Sequence, residues 1–164
     1  MLKTTRKDAV RRAVIRALGR LAGPSDAPRI VALLAKERRQ ETIASLLVTL
    51  GMVGGPEAIA TIKKHVGSHK ETVRRAATLA LAHRRDVDLT PDLIARLADR
   101  DREVVQYALV GLALLRDVRI APAIRARRLL GHTNDVTRAL AVSALGTQRD
   151  DLAHELLVER HKAC

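Results

Sequence analysis

Two pairs of side chains in this sequence have residue types that could hold a metal ion. His65 and His69 are four residues apart, a spacing that would place two imidazoles on one face of a helix. No nearby carboxylate completes a set of zinc ligands there. His154 and Glu155 begin the string HELLVERH, but the metalloprotease motif needs a second histidine four positions after the first, and the residue there is valine. The sequence therefore predicts no bound metal and no cofactor.

Other catalytic groups are equally sparse. The sequence contains no serine or cysteine in a nucleophile motif and no glycine-rich phosphate-binding loop. Its single cysteine, Cys164, cannot form an internal disulfide, which favours a reducing compartment. No apolar run reaches the ~18 residues that span a bilayer, and the opening segment MLKTTRKDAVRR lacks the apolar stretch of a secretory signal. These features favour a cytoplasmic protein without catalytic residues.

Positive charge is the strongest chemical feature of the chain. The 164 residues include 30 Lys and Arg against 18 Asp and Glu, which gives a formal net charge of +12. Such an excess attracts polyanions and raises the rate of encounter with them. Whether this charge forms a binding surface depends on the elements that position the cations.

The cations belong to an internal repeat. The segment AVRRAVIRALG, residues 9–19, returns as TVRRAATLALA at residues 72–82, and three weaker copies complete the series. Alignment of the copies places five leucines in one column at spacings of 32, 31, 31 and 33 residues, with small residues in both flanking columns. A fixed period of this length is typical of stacked structural units, which must bury their apolar faces against each other. The aligned leucines are Leu18, Leu50, Leu81, Leu112 and Leu145.

Each repeat has the pattern of two helices joined by a turn. In the first copy, Val10, Val14 and Leu18 lie on one face of a helix and the arginines occupy another arc. The turn GPSDAP, residues 23–28, supplies a helix stop and a proline suited to the first turn of the next helix. The sequence predicts ten helices and no strand within a single domain, residues 1–164. The predicted repeats are at about 7–39, 40–70, 71–101, 102–134 and 135–164.

These units resemble HEAT-like repeats, especially the short type named after the phycobilisome bilin lyases. That type opens with an acidic residue, Val-Arg, spaced alanines and Ala-Leu-Gly, and DAVRRAVIRALG, ETVRRAATLALA and DVTRALAVSALG match it here. The resemblance implies an all-α fold: a right-handed α-solenoid of about five stacked helix pairs, in which the second helices line a concave face. It also implies ion pairs between the opening acid and the following arginine: Asp8 with Arg11, Glu71 with Arg74, and Asp135 with Arg138.

The second helices carry the candidate binding residues. Extending the period aligns basic residues of the later repeats in shared columns, and residues 119–132 contain four arginines and no acid. In a solenoid, such columns predict a basic ladder along the concave groove, although a solvated face without a ligand would give the same pattern. The candidates for binding a polyanion or an acidic partner are Lys63, Lys64, His65, Arg96, Arg125, Arg127, Arg128 and Arg160.

Arg128 conflicts with this alignment. It falls in the column of Leu34, Val66 and Leu97, which should belong to the core. The fourth repeat has an extra residue before the fifth, so a shift of its second helix by one residue would resolve the conflict.

Two functions from different classes fit these features. The first is a non-enzymatic scaffold whose basic concave face binds a protein, through an acidic surface or tail. The second is contact with the phosphate backbone of DNA or RNA, since HEAT-like DNA glycosylases are also basic. Those enzymes depend on aromatic residues, whereas Tyr107 is the one aromatic residue here, so base stacking is disfavoured. We favour the scaffold because protein binding is the commoner use of helical solenoids.

The terminal helices have polar sequences. The first carries Arg11, Arg12 and Arg16, and the last carries Glu155 and Glu159. Polar outer faces on terminal repeats stop a solenoid from stacking on itself. We therefore expect a monomer with, at most, weak end-to-end association.

Overall fold

The computed structural model describes residues 2–85, 88–148 and 150–162, with side chains from Asp8 onward. Cys164 lies outside these ranges. The described residues form ten α-helices and no strand, as predicted, and none of these helices is long and apolar enough to cross a membrane. The helices are α1 Leu2–Leu21, α2 Ala27–Lys36, α3 Gln40–Val53, α4 Pro56–Lys63, α5 Glu71–Ala82, α6 Thr90–Arg96, α7 Arg102–Leu112, α8 Ile120–Ala126, α9 Asp135–Gly146 and α10 Asp151–Lys162.

The turns between helices contain the signals that start the next helix. Proline occupies one of the first two positions of α2, α4 and α6, where the missing N–H has no intrahelical partner to lose. Before α7, the Asp101 carboxylate accepts a hydrogen bond from the Glu103 N–H at 3.0 Å. Before α9, the Asn134 side chain accepts one from the Thr137 N–H at 3.1 Å. Such caps satisfy N–H groups that the first turn of a helix leaves without a partner.

The helices form two compact units, residues 1–84 and 85–164. In the first unit, α3 packs against both α1 and α5, and α2 packs against α4. In the second unit, α7 packs against α9, and α8 packs against both α6 and α10. First helices thus stack on first helices and second helices on second helices, as in an α-solenoid. The single domain and the right-handed superhelix remain predictions.

The aligned leucines form the core of the stack from the second repeat onward. Leu50, Leu81, Leu112 and Leu145 are each 0% exposed, as predicted. Each of their helices also packs against the second helix of the preceding repeat: α3 against α2, α5 against α4, α7 against α6 and α9 against α8. No second helix precedes α1 in the described residues, so Leu18 is 50% exposed. The prediction that all five leucines are buried is therefore wrong for Leu18.

The second helices bury a periodic column of their own. It consists of large aliphatic residues at spacings of 32, 31, 31 and 32, all less than a tenth exposed. The period of the sequence is therefore the period of both helical layers. These residues are Ile30, Ile62, Leu93, Ile124 and Leu156.

The extra residue of the fourth repeat lies after its second helix, so the helix itself is not shifted: Ile124 keeps the regular spacing of 31 residues from Leu93. Helix α8 ends at Ala126, and Arg128 adopts a left-handed backbone conformation with φ 51°. This extra step brings Leu129 to the core position that Leu97 occupies in the third repeat, and both leucines are buried. Arg128 is exposed instead. The conflict in the alignment is thus resolved by one non-helical residue.

The repeat register makes a direct prediction about stability. Leu81→Ala should lower the free energy of unfolding by about 2–5 kcal/mol, because it removes buried methyl groups and leaves a cavity. Leu18→Ala, the matched substitution in the same column, should cost less than about 1 kcal/mol because the side chain is half in solvent. Urea denaturation of both variants measures the difference. Equal losses for the two variants would contradict this packing.

Candidate partner-binding surface

The second helices of the repeats share a chemical feature that most first helices lack. All five second helices carry a basic residue in the last turn, whereas α3, α5, α7 and α9 carry none there. Within each unit, stacked second helices therefore place cations at equivalent ends. These last-turn residues are Lys36, Lys63, Arg96, Arg125, and the group Arg160, His161 and Lys162.

Helix electrostatics explain part of this placement. The carbonyl groups at the end of a helix point outward and carry partial negative charge, so a nearby cation stabilises the helix by about 0.3–1 kcal/mol. The side chain needs only to stay near the helix end, and its charged group remains available to solvent and to a partner. A cation can thus stabilise its helix and still bind an anion.

The densest group of cations lies where α8 ends. Arg125, Arg127 and Arg128, which we call the arginine cluster, are all exposed. None of the three forms an ion pair with a carboxylate of the described residues. The Arg128 N–H donates to the Arg125 carbonyl at 3.0 Å and the Arg127 N–H to the Ala123 carbonyl at 3.2 Å, which ends the helix. The backbone is therefore fixed while the three side chains lie in solvent.

Two other candidates in the second unit are less accessible. Arg96 is partly buried, and its Nη1 lies 3.7 Å from an oxygen of the Asp99 carboxylate. Arg160 lies partly buried in the last turn of α10. Helix α8 packs against both α6 and α10, so the ends of these three helices belong to one layer.

The candidates of the first unit lie at the end of α4. Lys63 and Lys64 are exposed. His65 is partly buried, and its Nδ1 lies 2.8 Å from the Thr61 carbonyl. The described residues contain no group of three potential metal ligands, so His65 and His69 are not part of a larger metal-binding set there. The two units contribute separate groups of cations, and the continuous ladder remains a prediction.

Several arginines have structural contacts that the sequence only partly predicts. The predicted pair of Arg138 with Asp135 is confirmed. Arg138 also donates to the His132 carbonyl at 2.7 Å, and Arg74 makes the same contact with the Ser68 carbonyl at 2.9 Å. Both arginines reach back six residues and hold the turn that precedes their own helix.

The first repeat replaces the expected pair of Asp8 with Arg11 by contacts between repeats. Asp8 pairs with Arg39, and Arg11 pairs with Glu37 at 3.3 Å. Backbone N–H groups of the turn and the two arginines hold the pKa of the Glu37 carboxyl below its usual value. These contacts join the first half of α1 to the turn before α3.

A family model for HEAT repeats matches residues 39–113, from the turn before α3 to the residue after α7. These residues therefore contain HEAT-like repeats. A search of curated proteins found no match. HEAT-like repeats typically mediate protein interactions through the faces of the stacked helices, and their fold alone specifies no chemistry.

The HEAT-like repeats are also joined by polar contacts that sequence reasoning missed. Arg84 donates to the Gly51 carbonyl at 3.3 Å, and Gln148 donates to the Leu115 carbonyl at 3.1 Å. Arg84 and Gln148 are 64 residues apart, as are the two carbonyls, so the contacts occupy equivalent places two repeats apart. The period itself could have revealed this pair, although arginine and glutamine share only a side-chain N–H donor.

A second polar contact joins turns of the second unit. Arg119 donates to the Asp117 carboxylate through Nε at 2.8 Å and to the Asp88 carboxylate through Nη2 at 3.0 Å. The guanidinium lowers the pKa of Asp117 to about 2, and it also lowers the pKa of Asp88. The charged form of Asp117 is thus part of the folded structure.

Stability should therefore depend on pH through Asp117. Because its pKa is lower in the folded state than in the unfolded state, its contribution is complete above about pH 4 and is lost as the pH falls towards 2. The stability difference between the wild type and Asp117→Asn should shrink over this range in urea denaturation. In an Arg119→Met background, the same substitution should show a much weaker pH dependence. A constant difference from pH 5 to pH 2 would contradict this assignment.

The left-handed conformation of Arg128 gives a separate prediction. A residue other than glycine with a backbone φ of 51° is less stable than glycine in that conformation by about 1 kcal/mol. Arg128→Gly should therefore raise the free energy of unfolding by about 0.5–1 kcal/mol, whereas Arg128→Ala retains a β-carbon and should leave it nearly unchanged. Thermal unfolding of the two variants separates the backbone effect from the loss of charge.

Proposed function

We propose that this protein is a non-enzymatic HEAT-repeat scaffold that binds an acidic segment of a partner protein through cations at the ends of its second helices. The observation that carries the proposal is the arginine cluster: Arg125, Arg127 and Arg128 are exposed and form no ion pair with the described carboxylates. Other arginines of the same unit, such as Arg119 and Arg138, hold turns together. The cluster therefore has charge to offer a partner.

The rest of the surface supports an acidic ligand. The net charge of +12 attracts an acidic segment over a distance, and the last-turn cations of α6 and α10, two helices that pack against α8, add positive charge to the same unit. Arg125, Arg127, Arg128 and Arg160 would contact the segment in the second unit. A second group of contact residues in the first unit would consist of Lys63, Lys64 and His65. Arg96 is partly buried, so it would attract the segment through its electrostatic field more than by direct contact.

The composition favours a protein ligand over a nucleic acid. Single-strand recognition uses aromatic side chains on which bases stack, and Tyr107 is the one aromatic residue and is partly buried. Phosphate-backbone contact to a duplex needs only cations, so it remains the alternative that the experiment must separate. HEAT-like repeats mainly bind proteins, which agrees with the first choice.

Replacement of Arg125, Arg127 and Arg128 together with glutamate tests the proposal. We expect a fluorescein-labelled polyglutamate peptide to bind the wild type at low salt and at least tenfold more weakly to the variant, since three exposed charge pairs contribute about 1.5 kcal/mol in total. Fluorescence anisotropy measures both affinities. A labelled DNA duplex, titrated in parallel, should bind more weakly than the peptide.

A matched control separates the cluster from net charge. Arg100, Arg102 and Arg116 are exposed residues of the same unit, and their joint replacement with glutamate changes the net charge by the same amount. This control should bind polyglutamate within about threefold of the wild type. Equal losses in the two triple variants would mean that net charge alone attracts the peptide. Tighter binding of the duplex, with a salt slope that falls by about one per arginine removed, would establish the nucleic-acid alternative.

A further inference from the structure

Consecutive first helices meet at one small-residue position. A β-carbon added at Gly51 of α3 would lie 2.8 Å from the Cβ and 2.9 Å from the Cα of Ala80 in α5. One added at Gly19 of α1 would lie 3.1 Å from Cγ2 of Thr49 in α3. In both cases a residue of the later helix packs into the space left by a glycine of the earlier one. These glycines and their partners occupy fixed columns of the repeat alignment.

The two terminal first helices leave the two halves of this contact open. Gly146 of α9 is in the column of Gly19 and Gly51, and nothing lies within 4 Å of a β-carbon placed there. Ala17 of α1 is in the column of Thr49 and Ala80, and it is exposed. Helix α1 thus presents an unpacked small residue, Ala17, and α9 presents an open space beside Gly146 that could receive such a residue.

An apolar face surrounds Ala17 on α1. Val10 is 58% exposed, Val14 52% and Leu18 50%, although their counterparts in α3, Thr42, Leu46 and Leu50, are buried. In α3 these positions lie on a helix that packs against α2 of the preceding repeat. The face of α1 therefore has the apolar residues that a preceding repeat covers in α3, and no described helix covers it. The sequence expectation of a polar first end is wrong at these residues.

The last repeat presents a complementary face around Gly146. Ser143 and Ala139 lie one and two turns before it on α9 and are exposed. On α10, Leu152 is more exposed than its buried counterpart in α8, Ile120. The positions with greater exposure in the last repeat than in inner repeats mark the side that a following repeat would cover.

Acidic residues of α10 and basic residues of α1 lie beside the two faces. Glu155 and Glu159 lie one and two turns after Leu152 on α10 and are exposed. The apolar face of α1 is flanked by Arg11, Arg16 and Arg20, which are exposed as well. Contact between the two faces would bring these carboxylates towards the arginines, so electrostatics favour the same pairing as the small residues do.

We propose that a second copy of this chain covers the apolar face of α1, with its α9 and α10 in the place of a preceding repeat. Ala17 packs against Gly146 of the other copy, and Val10, Val14 and Leu18 contact the residues around it. The contact continues the repeat-to-repeat interface of the fold from one molecule to the next. It is independent of the acidic-partner function, because it uses the faces of α1, α9 and α10, whereas the acidic partner contacts the ends of second helices.

The contact is heterologous because each copy uses a different face for each neighbour. Such an interface leaves one free face of each kind on a pair of chains, so assembly does not stop at a dimer. The net charge of +12 per chain opposes assembly and keeps it weak. We expect the weight-average mass to rise from 17.9 kDa as the concentration increases from ~10 µM to ~1 mM in sedimentation equilibrium.

Two variants block one face each. Leu18→Glu places a charge in the apolar face of α1, and Gly146→Leu fills the open space on α9. Neither change meets an existing contact that should prevent folding, since Leu18 is half exposed and Gly146 has open space. Leu33→Glu is the control, because Leu33 is a helical leucine of similar exposure, 53%, on α2. Circular dichroism verifies that all three variants are folded.

The proposal predicts the association state of each variant alone and of a mixture of two variants. Leu18→Glu and Gly146→Leu should each remain monomeric at ~1 mM, whereas Leu33→Glu should associate like the wild type. An equal mixture of Leu18→Glu and Gly146→Leu should form complexes of two chains and no larger ones, because each supplies the face that the other lacks.

Three results would overturn the proposal. A monomeric wild type at ~1 mM means that a second copy does not cover this face. Self-association of Gly146→Leu into dimers means that the α1 face pairs with itself. If Leu33→Glu weakens self-association as much as Leu18→Glu does, association does not depend on the α1 face.

Discussion

The close approach of consecutive first helices constrains the rest of this structure. Gly51 allows the backbone of Ala80 to come so near that a single added β-carbon would overlap it. Large side chains are therefore confined to positions beside the contact, where Leu50 and Leu81 are completely buried. A chain with no Trp or Phe and many alanines and leucines suits this packing, because layers held so close leave little room for aromatic rings. The composition is thus a consequence of the spacing between helices.

Arginine has two separate uses on this framework. Arg84 donates a hydrogen bond to the Gly51 carbonyl of α3, and Arg119 donates to Asp117 in its own turn and to Asp88 in the preceding repeat, so both arginines connect repeats. Arg125, Arg127 and Arg128 form no such ion pairs with the described residues and lie at the end of a helix. The high net charge alone does not identify a ligand-binding surface, since part of it stabilises the fold. The distribution of partners among the arginines is more informative.

The sequence predicted the features that depend on the period and missed those that depend on neighbours. Helix number, the turn prolines and the burial of Leu50 through Leu145 follow from residue types that recur at fixed spacing. Leu18 follows the same pattern, but none of the described helices precedes α1 to cover it, and the alignment does not show which residues a neighbouring helix covers. The link from Arg119 to Asp88 depends on the path of two turns. Arg128 lies between these cases, because its mismatch with the core column was visible and its left-handed backbone was not.

The two proposed binding surfaces differ in the part of the helices that they use. The acidic-partner surface lies at the ends of second helices, where the helix dipole favours cations and repeats differ in sequence without disturbing the core. The self-association surface lies along the faces of α1, α9 and α10, and its central contact repeats the one that Gly19 and Gly51 make with the next first helix. A repeat fold thus permits variation at the helix ends and enforces similarity along the helix faces. Ligand specificity belongs to the first kind of surface, and a contact between identical chains belongs to the second.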